Sequence, residues 1–171
     1  MKSAGIHDVV QTIESAIRHV KSSNPQRRTL LVLDTPSFLL ASNPTLNPSV
    51  LSSTILRLHA LTSHVLVHLP ADDALISLSV PPQPLEVLAH NLLVKVAHMS
   101  RRILSCRVLD TGFAKDVSGV LRITENSTSG NLDLKLRSGA APEEQEGTEL
   151  LYLVKGDGSV KMFERGTGGE V

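Results

Sequence analysis

Apolar positions along the chain switch between a three-to-four residue spacing and short unbroken runs, and each switch marks an element. Ile6, Val9, Val10, Ile13, Ile17 and Val20 recur on the helical period, with Asp8, Gln11, Glu14 and Arg18 off the stripe, which predicts an amphipathic helix over 6–21. Ser22-Ser23-Asn24-Pro25 ends it, because Pro25 disfavours helical geometry at Asn24. Thr29 to Asp34 is an apolar run without alternation, the mark of a strand covered on both faces, and it closes on a carboxylate. Asn43-Pro44 and Asn47-Pro48 punctuate the next loop; Asn47 as N-cap with Pro48 at the first helical position predicts a helix carrying Leu51, Ile55, Leu58 and Thr62 on one side. His64 to Leu69 is a second strand expected to be buried, closed by Pro70. With Pro70, Pro81, Pro82 and Pro84, the segment 70–84 is expected to be a long surface connection. Leu85, Leu88, Ala89, Leu92, Leu93, Val96 and Met99 then give a third helix with a wide apolar stripe.

From Arg101 the pattern changes to strands. Arg102 to Leu109 and Val117 to Thr124 flank a turn holding Gly112, and Leu150 to Lys155 and Ser159 to Phe163 flank Gly156-Asp157-Gly158, a strong hairpin signal. Between them, Asn126 to Gly147 is rich in Ser, Gly and Glu, with a short strand expected at Leu132, Leu134 and Leu136 and a flexible loop at 138–147. The order is helix, then β-α-β-α, then antiparallel strands. It predicts an α/β domain over 1–171 with a mainly parallel sheet flanked by helices and a C-terminal antiparallel hairpin.

Composition narrows the class. A chain of 171 residues suits one domain and buries roughly two thirds of its unfolded surface. Its 17 Lys and Arg balance 17 Asp and Glu, which argues against a surface built wholly to hold nucleic acid and leaves room for a local basic patch. One cysteine excludes an internal disulfide framework and any multi-cysteine zinc site within the chain. The start at Met1-Lys2-Ser3 leads into an amphipathic stretch, unlike a signal peptide, and no apolar run approaches the ~18–20 residues that span a bilayer. The expectation is a reduced, soluble, intracellular protein.

Candidate chemistry is sparse. Asp34, at the end of four apolar residues, sits where a P-loop NTPase holds its Mg²⁺-orienting aspartate, but no G-x-x-x-x-G-K-[ST] occurs to hold the phosphates. The plainer expectation is that Asp34 caps the turn Thr35-Pro36-Ser37 with its side chain. His64 and His68 share one strand face with His59 just upstream, and His90 and His98 lie eight apart on a helix; neither set has metal-ligand spacing. Cys106 is expected as a buried small hydrophobe, and no Gly-x-Ser-x-Gly elbow exists. No catalytic residue, cofactor or metal ligand is therefore expected. Basic residues do gather at Arg101, Arg102, Arg107, Lys115 and Arg122. Lys115, in a glycine-containing loop, is placed to project into a channel shared with a neighbour; with Arg101, Arg102 and Arg122 it is a candidate contact to RNA phosphates or to another subunit. Only Phe38, Phe113, Tyr152 and Phe163 are available for base stacking, too few for sequence-specific single-strand recognition.

The stretch Leu109-Asp-Thr-Gly-Phe-Ala-Lys-Asp-Val-Ser-Gly-Val-Leu-Arg-Ile-Thr124 resembles the corresponding strand-turn-strand of the sixth subunit of the Elongator complex. Leu30-Leu-Val-Leu-Asp-Thr-Pro-Ser-Phe-Leu-Leu-Ala-Ser42 is similar to that family's central strand and following segment, and Leu151 to Gly166 to its C-terminal hairpin. The likeness spans about 6 to 166 in three separated blocks. It implies a RecA-like (P-loop NTPase-like) fold that has lost its phosphate loop. It also implies assembly with the fourth and fifth Elongator subunits, two copies of each, into a hexameric ring that binds tRNA and supports wobble-uridine modification, in the cytoplasm and also the nucleus. Against that family the chain is N-terminally shortened, since only one helix precedes the strand at 29–34, and a partner is expected to cover the sheet edge so exposed. Two alternatives stand beside it: a divergent Mg²⁺-dependent ATPase using Asp34, and a small protein–protein interaction module unrelated to tRNA.

Overall fold

The computed structural model describes residues 6–77, 81–109, 114, 116–126 and 147–164, apart from the side chain of Ala74. It is mixed α/β. The elements are α1 (Ile6–Ser23), β1 (Leu30–Asp34), α2 (Phe38–Ser42), α3 (Pro48–Ala60), β2 (His64–His68), α4 (Asp73–Ile76), α5 (Pro84–Met99), β3 (Arg102–Arg107), β4 (Gly119–Glu125), β5 (Thr148–Val154) and β6 (Val160–Glu164). They fall into two compact units, Met1–His98 and Met99–Val171. Among the described residues no helix is long and apolar enough to cross a membrane.

In the first unit β1 and β2 pair parallel and in register, from Leu30 opposite His64 to Asp34 opposite His68. The Thr29 carbonyl starts the register by accepting from the Ser63 and His64 amides. Val10 and Ile17 of α1 are buried with Leu58 of α3, and Ile6, Ile13, Leu31, Leu33 and Leu61 pack around them. Burying each such side chain contributes roughly 1.5–3 kcal/mol, so the stripe of α1 is held by the core more than by its own helix propensity. Glu14 adds a polar tie, meeting Arg18 at 3.2 Å within α1 and Arg57 of α3 at 2.9 Å. Val20, expected on the stripe, is 48% exposed in the last turn of α1. There Lys21 Nζ donates to the Leu61 carbonyl at 2.9 Å. Asn47 caps α3 as its sequence predicts, accepting from the Val50 amide at 2.9 Å, with Pro48 in the first turn.

The strands differ from expectation in one respect. Both alternate between exposed and half-buried positions, so the sheet is covered on one face only. Leu31, Leu33, Val65 and Val67 face inward, while Leu30 (58%), Val32 (55%) and Leu66 (46%) lie open. An unbroken apolar run is the pattern of a doubly covered strand, and among the described residues one side is packed against a helix while the other lies open. The short helices α2 and α4 also replace what punctuation alone marked as loop.

The second unit is an antiparallel sheet in the order β3-β4-β5-β6. Parallel pairing is thus confined to β1 and β2 among the described residues, a smaller share than the mainly parallel sheet expected. The tight turn at 155–159 returns β6 antiparallel to β5, whereas the parallel pairing of β1 and β2 uses the crossover through α2 and α3. The hairpin at 155–159 forms as predicted. The Gly158 amide donates to the Lys155 carbonyl at 2.9 Å, the Lys155 amide donates to the Ser159 carbonyl at 2.9 Å, and Gly158 takes φ +81°. Val120 is buried at the centre of this sheet, opposite Leu151, which in turn faces Phe163. The strand expected at Leu132–Leu136, the turn at Gly112 and residues 138–146 of the expected loop lie outside the described residues.

Candidate functional site

Two five-residue parallel strands that pair in register must end level, and both end on a polar residue. That places Asp34 beside His68. Asp34 Oδ1 lies 2.6 Å from His68 Nδ1 and accepts from Thr35 Oγ1 at 3.0 Å. The Thr35 amide donates to the His68 carbonyl at 3.0 Å, extending the ladder by one bond. Thr35 itself takes φ +48°, a left-handed conformation unusual for a branched side chain. From there the chain turns directly into α2, with the Phe38 amide donating to the Thr35 carbonyl at 3.0 Å. Hydrogen bonding to His68, then to Thr35, holds the Asp34 carboxyl below its ordinary range.

The carboxyl ends of parallel strands are where open α/β sheets place ligands, and a carboxylate that orients an imidazole is half of an acid–base device. The other half, a nucleophile, is not supplied by the neighbours named above. Asp34 and His68 are also widely open to solvent, with side chains 78% and 67% exposed, so water screens the pair and its net energy is small. Both hydrogen bonds to the carboxylate fall on Oδ1. Asp34 is therefore anchored by a strand partner as well as by its own turn. The turn expected after Asp34 is present, but the carboxylate meets the Thr35 hydroxyl and the His68 ring where a bond to a turn amide is expected; the signal for His68 is two equal strands ending in Asp and His. Among the described residues no three His, Cys, Asp or Glu side chains gather where they would hold a metal ion.

Of the basic residues singled out, Lys115 lies outside the described residues. Arg101, Arg102 and Arg122 are exposed in the second unit, together with Arg107. Arg102 donates to Glu125 Oε1 through Nε at 3.1 Å and through Nη2 as well. The Arg102 guanidinium, with Arg101 nearby, holds the Glu125 carboxyl below its usual range. Arg107 Nη2 faces Glu149 Oε1 at 3.6 Å, and Arg122 stands opposite Glu149 in the register. The positive charge is thus interleaved with carboxylates. Cys106, expected to be buried, is exposed, because β3 is covered on neither side of its second half.

The second feature with functional content is the open sheet face of the first unit. The register gathers Leu30, Val32 and Asp34 of β1 with His64, Leu66 and His68 of β2 on one side, all of them exposed. Phe38, at the start of α2, is 70% exposed. No protein-family model matches the chain, and no curated protein sequence matches it either.

Proposed function

We propose that this chain is a non-catalytic α/β subunit of RecA-like type whose task is assembly. It joins the fourth and fifth Elongator subunits in the accessory ring that binds tRNA and supports wobble-uridine modification, in the cytoplasm and also the nucleus. The partners come from the resemblance of three sequence blocks, of which 109–124 is the most distinctive. The observation that carries the assembly role is the open apolar face of the β1–β2 sheet, where Leu30, Val32 and Leu66 are each about half exposed or more. Apolar area removed from water is worth roughly 25 cal/mol per Å², so covering such a face favours a partner.

The state of Asp34 supports the same reading against an ATPase. A Mg²⁺-orienting aspartate needs its oxygens turned to the metal shell and a phosphate loop beside it. Here one oxygen is engaged by His68 and Thr35, and the sequence has no such loop. Co-expression with the fourth and fifth Elongator subunits, followed by light-scattering mass, tests the proposal. A stable six-chain particle containing this chain twice supports it; a well-folded chain that leaves the other two unaccompanied overturns it.

A further inference from the structure

We infer that Ser105 is a phosphorylation site, modified by a protein kinase that selects arginine three residues before its target, and that Arg107 and Arg122 then hold the phosphate. The inference goes beyond the assembly reading above and does not depend on its partners.

The sequence singles out the acceptor. Arg101-Arg102-Ile103-Leu104-Ser105 sets two guanidiniums ahead of a hydroxyl, and no other serine or threonine of the chain has an arginine three residues before it. Kinases choose among hydroxyls by such charge patterns, because an acidic cleft binds the arginine and finds no equivalent beside the other hydroxyls. The fold leaves Ser105 within reach. Among the described residues β3 is an edge strand, its backbone is already extended, and Ser105, Cys106 and Arg107 are all exposed. Drawing an edge strand into a cleft breaks one ladder, here that with β4, where a central strand would break two.

The product has a seat. Ser105 stands directly opposite Arg122 in the β3–β4 register, and Arg107, two residues on, shares its face. Opposed Cβ atoms lie about 4.5–5.5 Å apart and same-face neighbours along a strand about 7 Å, both within the span of an arginine side chain. The Arg107 guanidinium leans across β4, since its Nη2 lies 3.6 Å from Glu149 Oε1 on β5. Glu149 is also the residue opposite Arg122, so two guanidiniums gather around one carboxylate on the face that carries Ser105. A phosphoserine brings about −1.5 to −2 charge and three acceptor oxygens at neutral pH, a better match for two arginines than a single carboxylate. In the step itself Ser105 Oγ attacks the γ-phosphorus of Mg²⁺-bound ATP. The Oγ–P bond forms, the bond to the β-phosphate oxygen breaks, ADP departs, and the hydroxyl proton passes to the kinase's base. The phosphate then competes with Glu149 for Arg107 and ties β3 to β4 through Arg122.

The test incubates the folded full chain with ATP, Mg²⁺ and a purified serine/threonine kinase selective for arginine at that spacing, and maps the phosphate by mass spectrometry. We expect one phosphate, on Ser105, and roughly tenfold slower incorporation into Arg102→Gln. No phosphate, phosphate on another hydroxyl, or labelling of a synthetic peptide of residues 99–109 but not of the folded chain overturns the site. Equal rates for wild type and Arg102→Gln overturn the arginine as selector. Phosphorus NMR titration of the phosphorylated chain reads the seat separately. The phosphoserine should lose its second proton below the ordinary pKa of about 6, and Arg122→Gln should return it toward that value. Arg107→Gln gives the same reading should Arg122→Gln fail to fold. A titration that neither substitution moves overturns the arginine seat.

Discussion

Asp34 and His68, thirty-four positions apart in the chain, meet at 2.6 Å because β1 and β2 are equally long and pair without offset. The contact lowers the Asp34 carboxyl from its ordinary value, first through His68 and then through Thr35. A depressed carboxylate stabilises the fold above its unfolded pKa of about 3.9 and ceases to do so as pH falls through the folded value. The pH window is therefore acidic, below about 4. Replacing His68 by Ala should raise the Asp34 pKa toward the ordinary value, and Thr35→Val should raise it less. Carbonyl NMR titration of Asp34 reads both; a curve unmoved by His68→Ala would remove the imidazole as the cause.

Gly119 and Tyr152 stand opposite each other in the β4–β5 register, and the tyrosine occupies the space a side chain at 119 would need. A Cβ built on Gly119 would lie 2.6 Å from Tyr152 Oη and also against the Arg107 carbonyl oxygen. The hydroxyl belongs to a side chain that can swing away; the carbonyl is backbone of β3 and cannot. Gly119→Ala should cost about 1–3 kcal/mol of stability by urea unfolding. Shortening the tyrosine as well, in Gly119→Ala with Tyr152→Leu, should recover only part of the added cost. Full recovery would show that the tyrosine alone sets the requirement for glycine.

Asn47 holds the start of α3 through one hydrogen bond, its Oδ1 accepting from the Val50 amide at 2.9 Å. Without it one of the first-turn amides loses its partner. Asn47→Ala should lower stability by about 1 kcal/mol, while Asn47→Asp keeps the acceptor and should be close to neutral. Chemical denaturation of the three proteins at one pH decides it. An alanine variant as stable as wild type would mean that Pro48 and the buried Leu51 suffice to start the helix.

These cases separate what local sequence carries from what it does not. Asn47-Pro48, the stripe of α1 and Gly156-Asp157-Gly158 are short-range signals whose physics is complete within a few residues, and each forms the element it predicts. The apolar runs Leu30–Leu33 and Val65–Val67 are different. Their composition says that both faces can be buried, but which face meets α1 depends on packing that no window of residues contains. Cys106 fails for the same reason, since its burial would require a layer over β3. At the candidate site the turn at Asp34 was readable locally. Its pairing with His68 becomes readable only once the two strands are aligned by their ends. That step requires assuming a parallel, unshifted register, and nothing within either strand dictates it.

The hairpin offers the sharpest contrast, because two glycines two positions apart have different reasons to be there. Gly158 takes φ +81°, in the left-handed region where a Cβ crowds the following carbonyl, although no atom lies within 4 Å of the side chain it would carry. Gly156 has the same open space and no such backbone requirement. Asp157 completes the turn: its carboxylate accepts from the Ser159 amide at 2.8 Å, and hydrogen bonding to Ser159, side chain first and amide second, lowers its pKa. Gly158→Ala should therefore cost about 1–2 kcal/mol, the penalty of left-handed backbone, and Gly158→Asn less, since asparagine tolerates that region. Gly156→Ala should be neutral or slightly stabilising, because it reduces the freedom of the unfolded chain at no cost in the folded one. Thermal unfolding of the three variants distinguishes these contributions. Equal losses at 156 and 158 would mean that crowding near the turn, and not the sign of φ, governs both positions.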